Sequence, residues 1–281
     1  MTLPAYLTQT RTNIQISSKE AFCELFEIGC TDSISDQLEN ADRIIRSQAP
    51  GIAQGAFNNV HGSWYEWILA TRFWNHFLQS DSSILAAKLP NITGFDVADL
   101  FDEKLRAYIL DLRQKVLEVS SVELVTSNPD FVMYKPNQMH LERLRELPPI
   151  HSYSVDGINF LERLYEQIVG QCNFITIIGF IATKTSFRPD RRLQIPHEGS
   201  LMKAIYAHLV TREWVLNPRG LKYFALACHV GDPDRRALKT VATHSITTVT
   251  DLPKAAVDEV YQVNSLGESD AFLQTELIYS L

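Results

Sequence analysis

Cysteine is scarce and unpaired. Cys23, Cys30, Cys172 and Cys228 are the four in the chain, and none forms a C-x-x-C step. That spacing offers no zinc site and no disulfide framework, so reduced, mostly buried thiols are expected, as in the cytoplasm. Long apolar runs are missing too. The longest, around residues 174–182, falls far short of the roughly 20 residues that cross a bilayer. The opening MTLPAYLTQTRTN has no basic stretch leading into an apolar one, so neither export nor membrane anchoring is expected. There is no P-loop, no GxGxxG and no GxSxG elbow, and His197-Glu198 lacks the second histidine that a zinc protease needs four positions on. No internal repeat or low-complexity tract occurs. Positive charge is also in short supply. A formal net charge of −7 argues against nucleic-acid binding through diffuse charge, which needs many Lys and Arg near phosphate. Any DNA affinity has to come from a concentrated patch or from base contacts.

What is present suits a globular α/β chain. With 281 residues and 45% apolar composition it can bury one large core or two modest ones. Helical spacing covers residues 18–28 and 33–47, after which Ala49, Pro50 and Gly51 mark a break. A small helical amino-terminal lobe over residues 1–55 is therefore expected, followed by a main domain over 56–281. Residues 63–79 form an amphipathic pattern with Trp64, Trp67, Phe73, Trp74 and Phe77 on its core face and His61-Gly62 as the loop ahead of it. Strands are expected at 83–88, 122–126, 131–134, 174–184 and 222–229. Helices are expected at 99–119, 157–171 and 198–212, near Pro253 with Asp251 as its cap, and at 269–279. The order implies a mixed central sheet flanked by helices. Lys184 would then close a central strand, and Glu198 would open the following helix.

Against the acidic background, residues 183–198, TKTSFRPDRRLQIPHE, reverse sign. Lys184, Arg188, Arg191 and Arg192 outnumber Asp190 and Glu198. Cleaving a phosphodiester needs a metal site, a way to place water, and positive charge near the phosphate. Asp130, following a proline at a strand start, together with Lys184 and Glu198 could meet those needs, and hard oxygen ligands of this kind favour magnesium. Each residue has a plainer reading. A PD dipeptide is near chance in a chain with 12 prolines, a lysine at a strand end is usually a solvated terminus, and an RxDR is usually a surface salt-bridge cluster. The order of the three residues along the chain favours the site. Arginine forks pair with guanine and aspartate accepts from cytosine, so Arg188, Asp190 and Arg191 suit a G·C-rich target. Ser63 to Glu66 has the spacing of a capping box, which favours a capping role for Glu66. His244 is expected as a hydrogen-bonded core histidine, and DPDRR at 232–236 as a turn whose arginines could touch phosphate.

These motifs resemble the CCGG group of type II restriction endonucleases in the PD-(D/E)xK nuclease superfamily, closest to the tetrameric members that cut R/CCGGY. The similar segments are GAFNNVHGSWYEW, LVTSNPDF, TKTSFRPDRRLQIPHEGSLMKAIYAHL, TREWVLNP, LKTVATHSITTV and AVDEV, spread over residues 55–265. The resemblance implies a restriction-endonuclease-like core and a Mg2+-dependent site of Asp130, Lys184 and Glu198. It adds Glu66 to that site against the capping preference, making Asp130, Glu198 and Glu66 the metal ligands. It implies base contacts from Arg188, Asp190 and Arg191, and Trp214 at the contact between dimers. It further implies cleavage before CCGG with 5′-phosphates and four-base 5′ overhangs, homodimers assembling to homotetramers on double-stranded RCCGGY, and a cognate DNA methyltransferase. A nuclease with another CCGG-containing target and a non-catalytic DNA-binding regulator are the alternatives. One departure matters: the superfamily places an acid two residues before the lysine, and Ala182 stands there, so Glu198 becomes the replacement.

Overall fold

The computed structural model describes residues 3–9, 13–92, 94–126, 128–247 and 252–278. A short hairpin, β1 (Leu7–Gln9) with β2 (Ile14–Ile16), leads into α1 (Ser18–Leu25) and α2 (Ile34–Gln48). The Ser33 hydroxyl caps α2 by accepting from the Asp36 amide at 3.1 Å. These elements pack on α3 (Gln54–Gln79): Trp64 donates to the Ser18 carbonyl at 2.9 Å, and the rings of Phe22 and Trp67 lie 5.3 Å apart.

α3 begins nine residues ahead of the sequence expectation, so His61 and Gly62 lie inside the helix and Ser63 to Glu66 is no capping box. A helical glycine costs up to about 1 kcal/mol. Here that cost is outweighed by a face that buries Trp64, Trp67, Phe73, Trp74 and Phe77.

The central sheet runs in the order β3 (Leu85–Lys88), β4 (Phe131–Tyr134), β5 (Ile177–Ser186), β6 (Lys222–His229), β7 (Glu259–Gln262). Its first two pairings are antiparallel and its last two parallel, a mixed sheet as expected. Gly179 permits the close β5–β6 approach, because a Cβ there would lie 2.3 Å from the Lys222 carbonyl oxygen. Residues 122–126 form no strand, and Val122 and Val125 are exposed. No helix starts near Pro253. Residues 252–254 are loop, Ala255 bridges Val241, and the strand β7 follows; Asp251 lies outside the described residues.

Register decides which side chains share a face. Phe131, Ile181 and Phe224 are cross-strand neighbours and meet Phe73 of α3 and Phe272 of α9 (Leu266–Phe272). On the other face, Phe180, Ala182 and Lys184 stand beside Tyr223, Ala225 and Ala227, beneath α7 (Pro189–Glu213). α7 also starts nine residues earlier than expected. Arg188 is its N-cap and Pro189 takes the first-turn position that proline favours. Pro196 sits inside the helix, where it lacks the amide that would donate to the Arg192 carbonyl. The remaining helices are α4 (Glu103–Ser120), α5 (Gln138–Arg145), α6 (Val155–Arg163) and α8 (Asp232–Leu238), so DPDRR opens a helix rather than a turn.

Candidate active site

Asp130 is fixed by backbone bonds to both neighbouring strands. Its amide donates to Ile181 O at 3.1 Å and its carbonyl accepts from the Leu89 amide at 2.8 Å. Just before it, Asn128 clamps the turn, donating to Phe95 O at 2.9 Å and accepting from the Val97 amide at 3.1 Å. The Asp130 carboxylate meets β5: Oδ2 accepts from the Thr183 amide at 2.5 Å, from Thr183 Oγ1 at 3.2 Å, and from Lys184 Nζ at 2.9 Å. Burial alone would push Lys184 down. The Asp130 carboxylate and its hydrogen bond, then Glu66 and Glu198, outweigh that and hold the ammonium above its ordinary value.

Glu198 lies two turns into α7 and is buried, not at the helix start. Its Oε2 accepts from the Tyr223 hydroxyl at 3.1 Å and its Oε1 from Gln194 Nε2 at 2.6 Å. Gly199 allows this, because a Cβ there would meet Ala256 O at 2.4 Å and the Tyr223 ring at 3.0 Å, so the helix can settle against β6. Burial, and next the Glu198 charge, push the Tyr223 phenol far up, which keeps it a hydrogen-bond donor.

Glu66 reaches the same region from α3. It pairs with buried Lys88 at 2.7 Å, and its carboxyl is raised by burial and by the Asp130 charge against the pull of Lys88.

Glu66, Asp130, Lys184 and Glu198 therefore line one polar cavity of about 800 Å³, with Arg188 and Arg191 on its wall. Asp190 is exposed and does not line it; its carboxylate stands 3.7 Å from Arg188 and 3.6 Å from Arg191. Arg192 turns away and pairs with Asp234 of α8 at 2.7 Å. Trp214 caps the opposite end of α7 in a left-handed conformation (φ 53°) and is 86% exposed. A straight 25-residue helix separates the two ends by about 37 Å. His244 is half-buried; its ring hydrogen-bonds the Ser200 backbone, as expected of a packed histidine, while its Nδ1 is buried without a partner.

The profile of the Cfr10I/Bse634I restriction endonuclease family matches residues 10–277. The chain belongs to the Cfr10I/Bse634I restriction endonuclease family. It is 42% identical over 224 residues to the type II restriction enzyme Cfr10I of Citrobacter freundii, covering 79% of this chain and 78% of that one. The structure of Bse634I restriction endonuclease superposes with a TM-score of 0.85 at 31% identity, covering 97% of this chain and 96% of that one. The structure of Bse634I, a type IIF restriction endonuclease, with cognate DNA superposes with a TM-score of 0.87 at 30% identity, covering 96% of each chain. The restriction-endonuclease-like α/β fold and the enzyme class expected from the motifs are thus met. Membership makes this chain a type II restriction endonuclease.

Around this cavity, sequence reasoning assigned no role to Lys88, Thr183, Gln194 and Tyr223. Thr183 and Gln194 lie inside the TKTSFRPDRRLQIPHE segment, but only their neighbours carry charge there. Tyr223 stands out as the one polar ring in the apolar strand run YFALAC.

Proposed function

We propose that this enzyme is a Mg2+-dependent endonuclease that recognises double-stranded R/CCGGY and hydrolyses the bond before CCGG. It leaves 5′-phosphates and four-base 5′ overhangs. The observation that carries the proposal is the shared cavity, in which an Asp130–Lys184 pair, Glu198 and Glu66 face the same space as the Arg188 and Arg191 forks. A protein of this kind works in the cytoplasm beside a cognate DNA methyltransferase; no described helix is long and apolar enough to cross a membrane.

The donor set suits magnesium. Three carboxylates supply hard oxygens; Glu66 is raised by burial and then by the Asp130 charge, and a cation near the two would offset the latter. Among the described residues no three His, Cys, Asp or Glu side chains form a ready cage. Magnesium needs none, since it keeps several waters and takes one or two carboxylates. Asp130 and Glu198 would hold the ion, with Glu66 adjoining. The ion supplies Lewis-acid charge at the phosphate and makes a water molecule more acidic.

Water attacks phosphorus in line; the new P–O bond forms as the P–O3′ bond breaks, the attacking water gives up a proton to solvent and the leaving O3′ takes one up, leaving a 3′-hydroxyl and a 5′-phosphate. Lys184, held cationic by Asp130, stabilises negative charge on the phosphate oxygens instead of removing a proton. Arg188 and Arg191 offer bidentate donors to guanine, and Asp190 accepts from cytosine. The amino-terminal lobe, residues 1–55, buttresses α3 and so the Glu66 side of the cavity, with residues 56–281 as the catalytic and recognition domain. A palindromic site calls for a two-fold homodimer, and Trp214 joins two dimers into a homotetramer.

The test is cleavage of plasmids carrying one or two RCCGGY sites, with Mg2+ or with EDTA, by the parent and by Lys184→Ala. The parent should cut only with metal and cut the two-site plasmid faster. Lys184→Ala should be slower by about 100-fold or more. A Lys184→Ala protein as fast as the parent, or cleavage in EDTA, contradicts the proposal.

A further inference from the structure

Three side chains on one face of α7 form a hydrogen-bonded row that connects a base-reading residue to a catalytic acid. Arg191, Gln194 and Glu198 are spaced three and four residues apart, so they stack along one helical face, and all three line the cavity. Arg191 Nη1 donates to the Gln194 side-chain oxygen, and Gln194 Nε2 donates to Glu198 Oε1 at 2.6 Å. The polarity of the row is fixed by chemistry. A guanidinium can only donate and an ionised carboxylate can only accept, so the residue between them must do both, which an amide does.

The two oxygens of Glu198 differ in what holds them. Oε2 is bound by Tyr223, which is fully buried and does not line the cavity. Oε1 is covered by Gln194, which is exposed and shares the cavity wall. A cation approaching Glu198 from the cavity therefore meets an oxygen already engaged by an amide, and that amide is itself held by Arg191.

We propose that Gln194 is a specificity-determining residue that keeps Glu198 Oε1 covered until Arg191 turns to its guanine. The inference rests on the assignment of Glu198 to the metal site and of Arg191 to base contact. A guanidinium engaged with a guanine edge leaves the Gln194 oxygen without its donor, so Gln194 is free to rotate away from Glu198. At a sequence that offers Arg191 no guanine, the row stays closed and Glu198 stays covered. Discrimination then arises in assembly of the active site as well as in binding, through one side chain that touches neither base nor phosphate. Pro196 lies between Gln194 and Glu198 and lacks the amide bond to the Arg192 carbonyl, which loosens the first two turns of α7 from the rest.

The test uses Gln194→Leu, an exposed position where the variant keeps the helix and loses both hydrogen bonds. Mn2+ binding to the DNA-free protein is measured by electron paramagnetic resonance. Cleavage rates are measured on a cognate duplex and on duplexes with one CCGG base pair changed. Gln194→Leu should bind Mn2+ about tenfold more tightly, and its cognate-to-noncognate rate ratio should fall about tenfold, the worth of one charge-assisted hydrogen bond. Tyr223→Phe, which strips the other oxygen of its donor, should slow both substrates together and leave the ratio at the parent value. A parent-like Mn2+ affinity or a parent-like rate ratio for Gln194→Leu overturns the link. Glu198→Gln separates this from the underlying assignment. If it abolishes cleavage while Gln194→Leu behaves as the parent, only the link falls; if it cuts at the parent rate, the assignment of Glu198 falls with it.

Discussion

Removing Lys88 tests how the site tolerates its own acidity. Lys88 Nζ sits 2.7 Å from Glu66 Oε2, with side chains only 8% and 18% exposed. Lys88→Met keeps the volume and leaves a buried carboxylate beside Asp130 with no partner. Breaking one side of a buried pair costs about 3–5 kcal/mol, far more than a surface pair is worth. The double variant Lys88→Met with Glu66→Gln removes the stranded charge, so the two single costs should not add, and a coupling of about 2–3 kcal/mol is expected. Urea unfolding followed by tryptophan fluorescence at one fixed protein concentration reads all four proteins. The pH dependence has a definite sign. Glu66 is raised in the folded state by burial and then by Asp130, so the folded chain binds that proton more readily than the unfolded one. Stability from this group therefore falls as pH rises from the ordinary carboxylate range to the raised value. Losing Lys88 widens that interval, so the deficit of Lys88→Met should be smallest in the ordinary carboxylate range and grow as pH rises above it. Additive single costs, or a Lys88→Met deficit that grows toward acid pH, refute the reasoning.

Gly199→Ala sets a Cβ 2.4 Å from the Ala256 carbonyl oxygen and 3.0 Å from the Tyr223 ring. Overpacking of about 1–3 kcal/mol exceeds the helical gain of up to about 1 kcal/mol. The melting temperature should fall, with a larger loss in cleavage as Glu198 moves off Tyr223; an unchanged melting temperature contradicts this. Trp214→Ala removes a ring that is 86% exposed. In sedimentation it should shift tetramers to dimers and remove the preference for two-site plasmids, and tetramers that persist would contradict the role given to Trp214. Arg192→Ala breaks the pair with Asp234 and should lower stability by about 1 kcal/mol or less, with unchanged base preference. Altered preference would make Arg192 a base reader.

Much of the fold was legible because strand and helix periods are strong where burial is one-sided or complete. The run Lys222–His229 appears as a strand with the expected bounds because it is almost continuously apolar, and β4 likewise at Phe131–Tyr134. Errors gathered where a local breaker was overruled by packing. Gly62 and Pro196 both look like ends of helices, yet each lies within a long helix whose apolar face is buried against the sheet. β7 was missed because Glu259–Gln262 is an edge strand whose EVYQ carries little apolar signal. Of the residues that the motifs singled out, the structure gathers Asp130, Lys184, Glu198, Arg188 and Arg191 around one cavity. Glu66 shows where spacing misleads, since the S-x-x-E pattern is local while its partner Lys88 comes from a different element. The contacts of Gln194 and Tyr223 with Glu198 could not be read from sequence, because they depend on how α7 lies on β6.

Sequencing the ends of a digested DNA library that contains every six-base sequence tests the central claim most directly. With Mg2+, the account predicts breaks before CCGG within RCCGGY only, each with a 5′-phosphate and a four-base 5′ overhang. Blunt ends, breaks in sequences without CCGG, or no breaks at all would contradict it.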